Sequence, residues 1–108
     1  MTIKELQKQV HEMAKEKGWW DKSRSIGEMI ALCHSELSEA LEDYRAFGCN
    51  FETRNDNDKP EGFAVELADC IIRILDMCEH LEINLQEALE KKIEHNKTRP
   101  YRHGNKVI

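Results

Sequence analysis

The sequence predicts an all-α protein, a four-helix antiparallel bundle in one small domain. The chain has 108 residues, near the low end of the size at which one domain closes its own core. Four segments begin with an N-cap pattern, and three of them end at a glycine or before a proline. No segment alternates apolar and polar residues as a half-buried strand does. Four helices packed antiparallel around one core are the simplest arrangement for this pattern.

Each predicted helix begins with a residue whose side chain can accept a hydrogen bond from the backbone N–H three positions later. The residue at that later position is an acid in every case, as in a capping box. The four pairs are Thr2 and Glu5, Ser25 and Glu28, Asp58 and Glu61, and Asn84 and Glu87. Gly18 follows helix 1, Gly48 follows helix 2, and Pro100 ends helix 4. The long connection between helices 2 and 3, residues 46 to 60, is predicted to be a lid or binding loop.

Charge is distributed unevenly along the chain. The formal net charge is −5, yet residues 91 to 108 carry six basic side chains and one acidic side chain. We therefore divide the chain into a helical domain, residues 1 to 98, and a basic tail, residues 99 to 108. No apolar run approaches the roughly 18 residues that span a bilayer, and the first residues lack the apolar core of a signal peptide. These features predict a soluble, cytoplasmic protein that does not associate with membranes.

Helix 3 combines a largely apolar circumference with a narrow acidic stripe. At about 100° per residue, Glu66, Asp69 and Asp76 fall within one arc of roughly 80°, together with Arg73 and His80. Such an apolar helix must be buried, and its acids then need partners, because an unpaired buried carboxylate costs several kcal/mol or is protonated.

Helix 2 supplies a matching pair of acids, Glu36 and Glu39, at the margin of its apolar face and just beyond it. If helices 2 and 3 pack side by side, these acids converge with Glu66 and Asp69. Four carboxylates in one place repel each other unless a hard cation neutralises them, and oxygen ligands suit Mg²⁺ or Mn²⁺. The alternative is that the acids form plain ion pairs with the basic residues of helix 3 or of the tail.

The acid spacing resembles a known family signature. Glu36-x-x-Glu39, followed after 26 residues by Glu66-x-x-Asp69, is similar to the E-x-x-E…E-x-x-D pattern of the MazG-like all-α nucleoside triphosphate pyrophosphohydrolases. The segment ELADCIIRILD is similar to the third helix of that family. Many members read E-E-x-x-E, and Ser35 stands at the first of those positions here.

The tail adds to this resemblance, because Pro100-Tyr101-Arg102-His103-Gly104 is similar to the ending of a MazG-like subgroup. Members of the family hydrolyse a (d)NTP to the monophosphate and pyrophosphate with Mg²⁺. The resemblance therefore implies a MazG-like catalytic domain, a role in cleansing the nucleotide pool, and assembly as a dimer or a dimer of dimers. An apolar helix 3 also favours a homodimer or homotetramer, since a second copy can cover it.

The resemblance also implies roles for individual residues. The metal ligands would be Glu36, Glu39, Glu66 and Asp69, and either Glu36 or Glu39 would position or deprotonate the attacking water. Contacts to the β- and γ-phosphates are expected from Lys92, Asn96, Arg99, Arg102 and Lys106.

Trp19 and Trp20 are expected to stack on the base, with the alternative that one of them fills the gap between helices 1 and 2. Two other functions stay open from the sequence. A nucleic-acid-binding module would use the basic tail with Tyr101, although the acidic body would repel phosphates. A non-catalytic helical regulator would keep the same fold without turnover.

Overall fold

The computed structural model describes residues 1–49 and 59–108. These residues form five helices and no β-strand, which confirms the all-α class. The helices are α1 (Ile3–Glu16), α2 (Ile26–Phe47), α3 (Phe63–His80), α4 (Leu85–Lys97) and the single turn α5 (Arg102–Asn105). None of the helices in the described ranges has both the length and the apolar character that a membrane span requires.

Three of the four predicted N-caps are confirmed, because each side-chain oxygen accepts a hydrogen bond from the backbone N–H three positions on. They are Thr2, Ser25 and Asn84, at 3.0, 3.0 and 3.1 Å. The fourth prediction is wrong. Asp58 itself lies outside the described residues, and α3 begins at Phe63 with Gly62 as its N-cap and without a side-chain cap. Gly62 has a φ of 131°, a conformation that glycine adopts without a steric penalty. Most of the predicted lid, residues 50 to 58, also lies outside the described part of the chain.

The core forms where α3 packs between α1 and α2. All three helices contribute buried apolar side chains, which are Val10, Met29, Ala40, Cys70, Leu75 and Cys78. Leu75, in the middle of α3, has the most completely buried side chain of this group, at 1% exposure. The core is therefore a three-helix contact that aligns α2 and α3 along their lengths.

Helix α4 lies at the edge of this core. It has no buried residue, and it contacts α1, where the backbone N–H of Lys4 donates to Gln86 Oε1 at 3.2 Å. The radius of gyration is 16.6 Å, whereas a compact domain of this length has about 13 Å. The single chain is thus more extended than a closed domain, and closure as a four-helix bundle stays a prediction.

One flank of α2 exposes a continuous apolar surface. Its residues recur every three, four or seven positions, so they occupy an arc of roughly 60° on the helix. We call this surface the α2 apolar face; it consists of Ile26, Ile30, Leu37, Leu41 and Tyr44, each between 45% and 55% exposed. The largest exposed apolar patch of a domain is often a functional interaction surface.

Candidate metal centre

Three of the four predicted ligand acids meet where α2 and α3 pack side by side. Carboxylate oxygens of Glu36, Glu66 and Asp69 lie within 4.8 Å of one another, and we call these three residues the acid cluster. Glu39 is exposed and is not one of them. It lies about 60° around the helix from Glu36, on the side away from the α2–α3 contact.

Crowding of the acids changes their protonation. The pKa of Glu66 rises to about 7, mainly because the side chain is removed from water, then because of its hydrogen bond with Glu36 and the charge of Asp69. The pKa of Asp69 is also raised, first by burial and then by Glu36, although Arg73 and Lys59 act in the opposite direction. A hydrogen bond between two carboxyl groups requires a proton on one of them. The acid cluster therefore holds a proton close to neutral pH.

Arg73 supplies a counter-charge to the acid cluster. Its Nε donates a hydrogen bond to Glu36 Oε1 at 2.8 Å, and both side chains are partly buried. The ion-pair alternative that the sequence left open is thus present for Glu36. One guanidinium cannot neutralise three carboxylates, however, and Glu66 keeps its raised pKa with Arg73 in place.

The donor set fits a hard divalent cation. Mg²⁺ binds oxygen at about 2.0–2.1 Å, so opposite ligand atoms lie about 4.2 Å apart, which small side-chain movements of the acid cluster would satisfy. Glu36, Glu66 and Asp69 would hold the ion, with water completing its coordination. Ser35, at the position where many MazG-like members have an acid, donates its hydroxyl to the carbonyl of Leu32 at 2.7 Å and is exposed.

Asp76 belongs to a different cluster, although it lies within the same roughly 80° arc of α3 as Glu66 and Asp69. It lies ten residues beyond Glu66 along α3, which is about 15 Å of helix length. There Asp76 Oδ1 lies 2.7 Å from His11 Nδ1 and accepts the indole N–H of Trp20 at 3.0 Å. The periodicity of α3 does not reveal this pairing, because both partners come from other parts of the chain. The signal that the sequence offered was a histidine on α1.

Trp20 packs within this second cluster. Its ring stacks on His80 with centroids 4.0 Å apart, and the guanidinium of Arg24 lies 5.3 Å from the ring centroid. These contacts favour the packing interpretation for Trp20, and its role in base binding stays a prediction. The side chain of Trp19 is instead 66% exposed.

A cavity of about 330 Å³ lies between α1 and α3, directly beside the acid cluster. We call it the α1–α3 cavity. Asp69 and Arg73 line it and also contribute to the acid cluster or its ion pair. Trp19 forms part of the wall, and the apolar lining comes from Val10, Met13, Ala14 and Ile72. Such a mixture of an apolar lining with a few charged groups is typical of a small-molecule site.

The basic tail lies apart from this cavity. Arg99, Arg102 and Lys106 line a separate open depression, and Arg102 donates to the carbonyl of Val107 at 3.1 Å. Lys92 and Asn96, the other predicted phosphate contacts, are exposed on α4. Among the described residues, no tail side chain lines the α1–α3 cavity. A single chain therefore brings three of the four predicted metal ligands together but leaves the predicted phosphate contacts separate from them.

A comparison of this chain with protein-family models, with curated proteins and with solved structures finds no match. The features of this chain that bear on function are therefore the acid cluster, the α1–α3 cavity and the residue pattern that resembles the MazG-like enzymes.

Proposed function

We propose that the protein is a Mg²⁺-dependent nucleoside triphosphate pyrophosphohydrolase. It would cleave a (d)NTP between the α- and β-phosphates, giving the monophosphate and pyrophosphate, in the cleansing of nucleotide pools. The observation that carries this proposal is the convergence of Glu36, Glu66 and Asp69 from two helices beside a cavity of about 330 Å³. Small-molecule sites start at about 300 Å³, so the cavity suits a ligand of nucleoside size.

The acid cluster accounts for the metal requirement. A triphosphate carries about four negative charges, and an acidic site would repel it unless a cation reverses the local field. When bound, Mg²⁺ supplies that charge and activates the α-phosphate as a Lewis acid. Glu36, Glu66 and Asp69 would hold the ion, and the cluster would give up the proton that it otherwise retains, since metal ligands must be deprotonated.

Glu39 is the residue that we assign to the attacking water. It lies outside the acid cluster on the same helix as Glu36, so it can accept a proton while the other acids stay bound to the ion. The water oxygen bonds to the α-phosphorus, and the bond from that phosphorus to the α–β bridging oxygen breaks. Pyrophosphate leaves with the electron pair of that bond, and Glu39 then releases the proton to solvent.

Contacts to the departing β- and γ-phosphates are proposed for the basic residues of α4 and the tail. These are Lys92, Asn96, Arg99, Arg102 and Lys106, whose donors suit phosphate oxygens. These residues do not line the α1–α3 cavity within one chain. The tail would therefore move to the substrate when the substrate binds, and that tail would belong either to the same copy of the protein or to a second copy.

Assembly as a homodimer or homotetramer completes the proposal. Glu36 and Glu66 meet on one side of the α2–α3 contact, so the α2 apolar face lies on the opposite side, away from the acid cluster. Each of its five side chains exposes on the order of 100 Å², which offers roughly 500 Å² towards the roughly 800 Å² per partner of a standard interface. A second copy related by a two-fold axis can pair this face with itself.

The deciding experiment measures pyrophosphate release from a panel of normal and damaged (d)NTPs, with Mg²⁺ and with EDTA. Glu66→Gln and Asp69→Asn should each reduce the rate at least about 100-fold, because each removes a ligand charge and little volume. Glu42→Gln is the matched control, since Glu42 lies on an exposed flank and pairs with Arg45 at 3.4 Å. Wild-type activity in Glu66→Gln would contradict the proposal.

The same panel separates the two other functions. Mg²⁺ binding without turnover of any nucleotide would favour the non-catalytic regulator. Salt-sensitive binding of DNA in the absence of Mg²⁺ would favour the nucleic-acid module, because counterion release then drives the affinity.

A further inference from the structure

The α1–α3 cavity gathers three cationic side chains. Lys17 comes from the end of α1, Arg24 from the α1–α2 connection and Arg73 from α3. Two acids also line the cavity, and one of them, Asp76, is already hydrogen-bonded by groups of α1 and of the α1–α2 connection. Positive charge therefore exceeds negative charge on these walls, the reverse of the acid cluster beside them.

Arg73 belongs to both environments. Its Nε donates to Glu36 Oε1 at 2.8 Å, while its side chain lines the α1–α3 cavity together with Asp69. A guanidinium carries five N–H donors in a rigid fork, so the bond to Glu36 occupies only part of its capacity. Arg73 is thus the one described cation that both bonds to the acid cluster and lines the cavity.

Arg24 forms a longer ion pair, with Glu28, than Arg73 forms with Glu36. Its Nε lies 3.9 Å from Glu28 Oε2, and its side chain is only 14% exposed, whereas that of Glu28 is 58% exposed. A largely buried cation with a distant partner is incompletely neutralised, and an anionic ligand would stabilise it. Lys17 forms no ion pair with an acid of the described ranges.

We propose that the α1–α3 cavity binds the nucleoside and α-phosphate of the substrate, and that Arg73 exchanges Glu36 for an α-phosphate oxygen when Glu36 becomes a metal ligand. Arg24 contacts the same phosphate, and Trp19 stacks on the base. This inference rests on the proposed function and adds a binding site with an arginine that changes partner. Arg73 is suited to it because guanidinium binds carboxylate and phosphate with the same bidentate geometry.

The exchange makes two opposite predictions for one substitution. Without nucleotide, Arg73 competes with the metal ion for Glu36, so Arg73→Gln should bind Mg²⁺ about three- to tenfold more tightly than the wild type. With Mg²⁺ present, Arg73→Gln should bind an α,β-methylene deoxynucleoside triphosphate at least about tenfold more weakly, because a charge-assisted bond is lost. A purely structural role for Arg73 would weaken both.

Both affinities are measured by isothermal titration calorimetry, with analogues of the four common bases. Arg24→Gln should weaken analogue binding and leave Mg²⁺ binding unchanged. Arg73→Lys tests the geometry without loss of charge: Mg²⁺ affinity should stay close to wild type while analogue affinity falls. Arg45→Gln is the matched control, because Arg45 lies exposed on α2 and pairs only locally with Glu42. Circular dichroism verifies that each variant keeps its helices.

Two results would overturn the inference. One is unchanged or weaker Mg²⁺ binding in Arg73→Gln, and the other is analogue binding within twofold of wild type in both Arg73→Gln and Arg24→Gln. The proposed function fails differently. In that case the wild-type protein itself binds none of the analogues in the presence of Mg²⁺.

Discussion

The imidazole Nδ1 of His11 lies 2.7 Å from Oδ1 of Asp76, in the interior between α1 and α3. Both residues are only 9% exposed. The indole N–H of Trp20 donates to the same carboxylate at 3.0 Å, so the carboxylate has partners from α1 and from the α1–α2 connection. These two bonds therefore join α1 and the α1–α2 connection to α3.

Replacing His11 with alanine should destabilise the protein by about 2 to 4 kcal/mol. The substitution removes one partner of a buried carboxylate and leaves that group incompletely satisfied. Urea unfolding followed by circular dichroism, in EDTA, measures the change. His95→Ala, on an exposed position of α4, is the control and should change the free energy of unfolding by less than about 0.5 kcal/mol. Equal stability of the two variants would show that the His11–Asp76 contact contributes nothing.

The metal-free protein should lose stability as the pH rises from about 5 to about 8. Glu66 has a pKa of about 7 in the folded chain against an ordinary 4.5. Between these values the folded state binds more protons than the unfolded state, so the free energy of unfolding falls with rising pH. Chemical denaturation in EDTA at several pH values measures this slope.

Glu66→Gln is the control for the pH dependence. It removes the titrating group, so the fall in stability between about pH 5 and pH 8 should be smaller than in the wild type, and at pH 8 the variant should be the more stable of the two in EDTA. Addition of Mg²⁺ should stabilise the wild type more at pH 8 than at pH 5, since the ligands must be deprotonated. Identical pH profiles for both proteins would contradict the raised pKa of Glu66.

Deleting everything after Lys97 should leave the fold intact and weaken triphosphate binding. The tail is almost entirely exposed, and all four residues of α5 have positive φ, between 52° and 95°, a conformation that costs non-glycine residues about 1–2 kcal/mol each. Removal of such a segment should leave the melting temperature nearly unchanged. Calorimetry with the α,β-methylene analogue tests the second part, and wild-type affinity in the truncated protein would show that the tail does not contact the phosphates.

Introducing a charge on the α2 apolar face should dissociate the assembly. Leu37→Glu and Leu41→Glu each place a carboxylate where both side chains are now about half exposed, so the monomer tolerates the change while a dimer interface would bury an unpaired charge. Light scattering at micromolar concentration measures the mass. Ser38→Glu, on another flank of the same helix, should keep the wild-type mass. A monomeric wild-type protein would contradict the proposed assembly.

Local signals in the sequence were sufficient for the helices and most of their ends. Ser25 and Asn84 cap α2 and α4 because an N-cap bond involves atoms only three residues apart. The start of α3 was predicted wrongly because a correctly spaced pattern does not always form a cap. An Asp58-x-x-Glu61 pattern has the correct spacing, but Gly62 supplies the backbone conformation from which the helix begins.

The candidate site could be predicted only in part. The angular positions of Glu36, Glu66 and Asp69 follow from 100° per residue, and their convergence required only that α2 and α3 pack side by side. The angle of Asp76 on α3 gave no indication of its partners, because His11 and Trp20 come from elsewhere in the chain.

By itself the sequence determined the all-α class and most of the helix ends, and it predicted the convergence of Glu36, Glu66 and Asp69 but added Glu39, which is not one of the acid cluster. The correct predictions depend on spacing along one or two helices. Only the tertiary structure decided that Arg73 bonds to Glu36, that Trp20 packs on His80 while Trp19 lines a cavity, and that the α2 apolar face is exposed. Those features depend on the order in which the helices pack and on the height at which one helix lies against the next. Neither quantity is contained in the periodicity of a single helix.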